Sequence, residues 1–296
     1  MVSALLLIIS TTCGSDKSLI PEGDSPDLPR KSAGSAHINL LTKIPYSSAR
    51  IAVLGDSRDG KTSFEDIVED IRGMKPRPEL VVHLGDMISD PGSGLQWYQF
   101  HQETKALAQD FAFYPVVGNH DVDDHSSEET YKKQFPAPAN QLYYEVEFKD
   151  LLLIFLDSEL DSDENEISGA QYDWLERLLA QKGDRFRYRI AFIHRPLFPT
   201  ANHIGGSLDA HPQERDRLHR LFADRGVNPV FVAHEHIYNR KQVGRVTYVT
   251  SGGAGAPQSG GADAFYQFVF VAETDTGLQG YCFSIDGKLK DRFLIK

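Results

Sequence analysis

From about Ala49 onward, short apolar runs alternate with amphipathic stretches, and this alternation restricts the chain to the α/β class. Runs such as Leu151-Leu152-Leu153-Ile154-Phe155 and Ala191-Phe192-Ile193 have no polar break. Such runs predict strands buried on both faces of sheets that helices cover. Strands are expected at Arg50–Leu54, Leu80–Leu84, Phe113–Val117, Tyr143–Phe148, Leu151–Leu156, Tyr188–Ile193, Val230–Ala233, Val246–Thr250, Tyr266–Val271 and Gly280–Ile285. Helices are expected at Ser63–Met74, Leu95–Asp110, Ser127–Phe135, Ala170–Gln181 and Gln213–Ala223. The stripe Trp174, Leu175, Leu178 and Leu179 reads as core packing, and Asp286-Gly287 as a hairpin signal. With no internal repeat and no Pro-rich break, 44–296 is expected to form one domain.

The ends of the strands carry the chemistry. Leu84 runs into Gly85-Asp86, Val117 into Gly118-Asn119-His120-Asp121, Ile193 into His194-Arg195-Pro196, and Ala233 into His234-Glu235-His236. With Asp56 after Leu54-Gly55, five strands deliver polar groups to one sheet edge, where ligands of α/β proteins bind. Each group also has a plain structural reading: Gly-Asp makes turns, Asn119-His120-Asp121 could start a helix, and His194 could be a satisfied core histidine. The stretch Leu54–Ser63, LGDSRDGKTS, also matches the G-x-x-x-x-G-K-[ST] of a nucleotide-binding P-loop. That reading leaves His120, His194, His234 and His236 without a role, and the chain contains no Asn-Lys dipeptide for a guanine-reading signature.

Charge narrows the partners. The 296 residues carry a formal net charge of −11, which argues against a nucleic-acid binder. An acidic protein acting on anionic substrates needs local positive charge, most simply metal ions. The two cysteines, Cys13 and Cys282, make neither a disulfide framework nor a zinc motif. Residues 1–13 read as a signal with a lipobox-like end and Cys13 as the acylated residue. Residues 14–43, rich in Ser, Pro, Gly and Asp, read as a flexible tether. The expectation is a cell-envelope protein, periplasmic or at the outer surface, attached to the membrane through Cys13. Oligomeric state is not legible.

Taken in order, GD…GD…GNHD…H…HxH resembles the calcineurin-like metallophosphoesterase superfamily, over about Arg50 to Pro257. The purple acid phosphatase-like branch is nearest, on Gln171-Tyr172-Asp173-Trp174-Leu175, His194-Arg195-Pro196-Leu197, and His234-Glu235-His236-Ile237-Tyr238-Asn239-Arg240 followed by Thr250–Pro257. Tyr238, Arg240 and the glycines of the last segment read as loop scaffold. The resemblance implies a sandwich of two sheets flanked by helices. It also implies two metal ions (Mn, Fe or Zn by donor type) bridged by Asp86. Asp56 and His236 would complete one site; Asn119, His194 and His234 the other. A small phosphorylated substrate would be hydrolysed by a metal-bridged hydroxide, with His120 as acid and Asp121 as its orienting neighbour.

Three departures bear on this. Asp56-Ser57-Arg58 stands where many members have Asp-x-His, Ser89 where purple acid phosphatases have a Tyr ligand, and Ala233 where Gly is usual. Arg58 cannot ligate a metal, because a guanidinium has only donors, so it is assigned to the substrate phosphate. The departures leave a second reading, a non-catalytic envelope protein that binds phosphorylated ligand through a degraded metal site.

Overall fold

The computed structural model describes Ile38, Ile44, residues 48–160 and residues 164–295. Three strand–helix units open the fold. β1 (Arg50–Leu54) leads to α1 (Lys61–Gly73), β2 (Leu80–His83) to α2 (Gly94–Asp110), and β3 (Ala112–Pro115) to α3 (His125–Lys132). These three strands pair in parallel, in that order. The chain then forms β4 (Tyr144–Phe148), β5 (Leu151–Phe155), α4 (Gly169–Lys182), β6 (Tyr188–Phe192), α5 (Pro212–Arg225) and β7 (Val227–Val232). Hairpin-connected strands finish it: β8 (Tyr238–Val243), β9 (Val246–Ser251), β10 (Gln267–Thr274), β11 (Gly277–Ser284) and β12 (Leu289–Ile295).

Two six-stranded mixed sheets result, ordered β12-β11-β10-β1-β2-β3 and β4-β5-β6-β7-β9-β8. The period of two along each strand separates two cores. Leu151, Leu153 and Phe155 join a large cluster that also holds Ile51, Val53 and Phe270 of the other sheet, so this cluster is the sandwich interior. Leu152 and Ile154 face the other way, onto a second cluster with Leu175, Leu178, Leu179, Leu218 and Phe222 of α4 and α5. A strand buried on both faces has no polar position, which is why β5, and β6 from Ile190 onward, read as unbroken apolar runs. Across the second sheet Tyr144, Phe155, Phe192 and Phe231 stack in a row, with centroids 4.4, 5.0 and 5.7 Å apart. Truncating Phe155 to Ala would cost about 3–5 kcal/mol.

The structure adds two strands that the apolar pattern does not mark, although Asp286-Gly287 signals the turn into the second of them. β8 and β12 are edge strands, with exposed Arg and Lys where a central strand would be apolar. Tyr238 and Arg240, assigned above to loop scaffold, lie in β8. Both donate to Asp291 of β12, at 2.8 and 2.7 Å, and so tie the edge of one sheet to the edge of the other. Ile38, placed above in the tether, is buried in the main core, and its carbonyl accepts the Lys75 amide at 2.9 Å. The rest of the tether, and the lipobox-like segment with Cys13, lie outside the described residues. Among the described residues no helix is long and apolar enough to cross a membrane.

Candidate metal centre

The residues at the strand ends of both sheets converge. Asp56 follows β1, Asp86 follows β2, Asn119 and His120 follow β3, His194 follows β6, and His234 and His236 follow β7. One ligand atom each from Asp86, His194 and His234 lie within 4.8 Å of one another, and so do atoms from Asp56, Asp86 and His236. Asp86 belongs to both groups. Asn119 Oδ1 lies 3.0 Å from His194 Nε2, on the side of the first group.

Backbone carbonyls set the imidazoles. His194 Nδ1 donates to Leu84 O at 2.8 Å, and His236 Nδ1 to Pro257 O at 2.7 Å. A carbonyl only accepts, so the proton sits on Nδ1 and the lone pair on Nε2. Those Nε2 atoms face Asp86 Oδ1 at 3.4 Å and Asp56 Oδ1 at 3.6 Å. The acceptor pair formed by His194 Nε2 and Asn119 Oδ1 thus converges with no proton between them. Among the described residues His234 Nε2 and Asp56 Oδ1 are buried and have no hydrogen-bond partner. Converging acceptors and orphaned buried lone pairs fit cations, and carboxylate, imidazole and amide oxygen are the donors that Mn, Fe and Zn accept.

Charge states agree with that fit. Burial, reinforced by His194 and Arg195, pushes the His234 imidazole far below its usual range and keeps it neutral. Burial also lowers His236, assisted by Arg58 against the Pro257 hydrogen bond. Burial and the adjacent Asp86 charge push the Asp56 carboxyl well above the carboxylate range. Burial opposes ionisation of Asp86 as well; positive charge on His194, and then at His120 and Arg58, lowers that carboxyl, and with His194 in its neutral tautomer a cation would supply that charge. A cation bound by this set would ionise Asp56 and use the imidazole lone pairs.

Residues 49–238 match the family described as calcineurin-like phosphoesterase. The chain belongs to that family. A "Probable inactive purple acid phosphatase 27" of Arabidopsis thaliana is 26% identical over 66% of this chain and 36% of its own length. A "Probable glycerophosphodiester phosphodiesterase" of Arcobacter nitrofigilis is 31% identical over 54% of each chain. Between them the chain spans about a third to a half of these relatives' lengths. The structure of a purple acid phosphatase from yellow lupin seeds superposes with a TM-score of 0.69 at 20% identity, covering 84% of this chain and 55% of that one. The two-sheet sandwich is therefore the fold of this family, with purple acid phosphatase-like relatives.

Two of the three departures acquire geometry here. Arg58 stands beside the centre and is also paired on its outer side: Nε lies 3.4 Å from Asp86 Oδ2 and Nη1 2.9 Å from Asp59 Oδ2. The Ser89 hydroxyl donates to Asp59 Oδ1 at 2.7 Å, so it is turned to Asp59 and not to the Asp56 group. The Asp56 group thus consists of two carboxylates and one imidazole. Lys61 begins α1, is 71% exposed and lies 3.9 Å from Glu65. A Cβ on Gly60 would come within van der Waals overlap of Gly255 O, so Gly60 serves the packing of two loops. The P-loop match is coincidental.

Asp121 requires a correction. Its carboxylate accepts the amides of Asp86, Met87 and Gly118 at 2.9 Å each, and that of Ile88 at 3.4 Å. It therefore holds the loop that carries Asp86. The His120 ring is met instead by Ser89 O, 3.3 Å from Nδ1, while the His120 amide donates to Asp86 Oδ1 at 3.0 Å.

Sequence reasoning missed His203 and Glu235. The His203 ring packs on His234 with centroids 4.0 Å apart. Glu235, fully buried, accepts the amides of Thr200 and Ala201. Neither role has a sequence signature, because each depends on a loop that folds back from a different strand end.

Proposed function

We propose that this chain hydrolyses a phosphate ester with two divalent cations, which the two ligand groups that share Asp86 would hold. The observation that carries the reading is the pair of ligand groups sharing that carboxylate, with orphaned lone pairs on His234 and Asp56. Asp86, His194, His234 and Asn119 would hold one cation, and Asp56, Asp86 and His236 the other. When bound, the pair supplies an activated water and positive charge toward the phosphoryl oxygens. Arg58 adds a fixed charge at the edge of Asp86, where it binds a phosphate oxygen. His120, its Nδ1 on Ser89 O, donates a proton from Nε2 to the leaving oxygen. His203, packed on His234, lines the phosphate side. The proposal extends to place: the cell envelope, with Cys13 as the lipid-bearing residue.

A second reading is favoured by one feature, the Arg58 that replaces an imidazole next to the Asp56 group. In that reading only the group containing His194 loads, and the protein binds phosphorylated ligand without turnover. Elemental analysis, run with a screen of aryl mono- and diesters under added Mn, Fe, Zn and Mg, separates the two. Two ions per chain and hydrolysis support the enzyme. One ion without hydrolysis supports the binder, and absence of bound metal overturns both.

A further inference from the structure

The residues that adjoin the ligand histidines in sequence fasten one loop at both of its ends. Glu235, between His234 and His236, is fully buried. Its carboxylate oxygens accept the Thr200 amide at 3.0 and 2.9 Å, the Thr200 hydroxyl at 3.4 Å, and the Ala201 amide. Arg195, next to His194, is 8% exposed and is itself held by both Glu159 oxygens, at 2.9 and 2.8 Å from Nε. Its Nη1 donates to Gly206 O at 2.8 Å. Between these pins the loop closes on itself, with the His203 carbonyl accepting the Gly206 amide at 3.0 Å and the Ser207 hydroxyl at 3.2 Å. The turn presents His203 to the His234 ring and leaves Ile204 67% exposed beside it.

Burying a carboxylate is costly unless donors surround it, and here the donors come from the loop. An apolar residue at position 235 would fill the space at lower cost but would leave the loop unattached. We propose that Glu235 and Arg195 are positioning residues that hold His203 against the phosphate, and that the pinned turn forms the wall that admits or rejects the ester's alcohol. This rests on the phosphoesterase reading above. His203 is the residue that touches the ligand; Glu235 and Arg195 act through it.

The test is a double-mutant cycle read by inorganic phosphate binding to the metal-loaded protein, by KM against kcat for an aryl phosphate, and by amide exchange at Thr200 and Ala201. Glu235→Gln keeps the shape, but it removes the charge and puts an NH₂ donor where a carboxylate oxygen accepts from Thr200, so the bonds to the two backbone amides weaken. It should weaken phosphate binding and raise KM about tenfold, about one lost hydrogen bond, at unchanged metal content. It should also speed exchange at the two amides. His203→Ala should weaken phosphate binding equally while leaving those amides protected. The double variant should be no weaker than either single one. Glu235→Asp, which keeps the acceptors, should restore part of the affinity. Multiplying effects in the double variant, or metal lost with Glu235→Gln, would overturn the inference. Should Glu235→Gln fail to fold, Arg195→Lys combined with His203→Ala gives the same cycle. Failure of the enzyme reading appears separately, as a wild type that binds phosphate through the same loop coupling but releases no alcohol from any ester.

Discussion

Asp56 and Asp86 share one unusual backbone conformation, with φ of 59° and 56°, each directly after the glycine that ends its strand. Their loops are bonded to each other. The Asp56 amide donates to Gly85 O at 3.0 Å, and the Ser57 and Arg58 amides both donate to Asp86 O at 3.1 Å. Left-handed backbone at a non-glycine residue costs about 1–2 kcal/mol, and it persists where neighbouring structure enforces it. These cross-loop bonds do so, and they bring two carboxylates together that would otherwise repel. The strain and the repulsion both lie at the point where cations would relieve them.

That relationship makes Gly118 sensitive. A Cβ there would meet the Asp86 amide nitrogen and Oδ1 far inside contact distance, so Gly118→Ala must push Asp86 out of line. Asp86 serves both ligand groups, so metal affinity is expected to fall at least tenfold at both sites. Gly94→Ala is the control, because a Cβ there meets nothing within 4 Å. Metal titration of the two apo variants decides the matter. Equal affinities would mean that Asp86 is not a shared ligand.

Asp121→Asn tests the corrected role of Asp121. An Asn must turn one donor toward amides that are themselves donors, so it loses part of the network that holds the Asp86 loop. The expected cost is about 2–3 kcal/mol, a fall in Tm of about 5–10 °C for a domain of this size. Thermal unfolding measured beside kcat reads it. A variant with native Tm and a kcat lowered a hundredfold would return Asp121 to the catalytic role that the sequence suggested.

What the sequence reveals depends on how local the cause is. β2 and Asp86 are legible because an apolar run ending in Gly-Asp is a local signal: burial selects the run, and the turn selects the glycine. β8 and β12 are not, because an edge strand is stabilised on one side only and tolerates Arg240, Lys241 and Lys290. The metal-ligand types were readable from the order of Asp, Asn and His. The work of Asp121, Glu235 and Arg195 was not, since, apart from Gly118, the backbone groups they hold lie 33–35 or 11 residues away. The Gly-Lys-Thr after β1, set aside on the unexplained histidines, owes its glycine to a close approach to Gly255 that is invisible in one dimension.

His83 predicts an acid limb. The Gly85 amide donates to its Nδ1 at 3.3 Å, so Nε2 carries the proton and faces the Ser57 hydroxyl at 3.0 Å. Burial pushes this imidazole from 6.5 down to about 3. Between those values the unfolded chain binds a proton that the folded protein does not, so stability rises with pH across that window and is complete above it. The contribution is at most about 1.4 kcal/mol per pH unit. His83→Gln keeps a donor toward Ser57 and removes the titration. Unfolding free energies of the apo proteins between about pH 6 and pH 4 should fall less steeply in the variant, by about one proton. Identical slopes would show that His83 titrates normally in the fold.

Arg58 is the residue whose replacement separates substrate from metal. Its guanidinium lies between Asp86 and Asp59, next to the ligand group made of Asp56, Asp86 and His236. A cation in that group must tolerate a fixed positive charge against Asp86, so it should be the weaker of the two and leave first on chelation. Bound phosphate should help to retain it by neutralising that charge. Arg58→His removes the charge and offers an imidazole nitrogen at the position where the group is one donor short. In the proposed function the same change would also remove the guanidinium that binds a phosphate oxygen, which a single imidazole cannot replace. The weaker affinity should therefore tighten about tenfold or more while KM rises by a similar factor. Arg58→Met, which removes the charge without adding a ligand, should raise KM but tighten the metal less. Calorimetric titration of metal into the three apo proteins, with steady-state kinetics on the loaded ones, reads both effects. If all three show the same pair of affinities and the same KM, Arg58 belongs to Asp59 alone and takes no part in the centre.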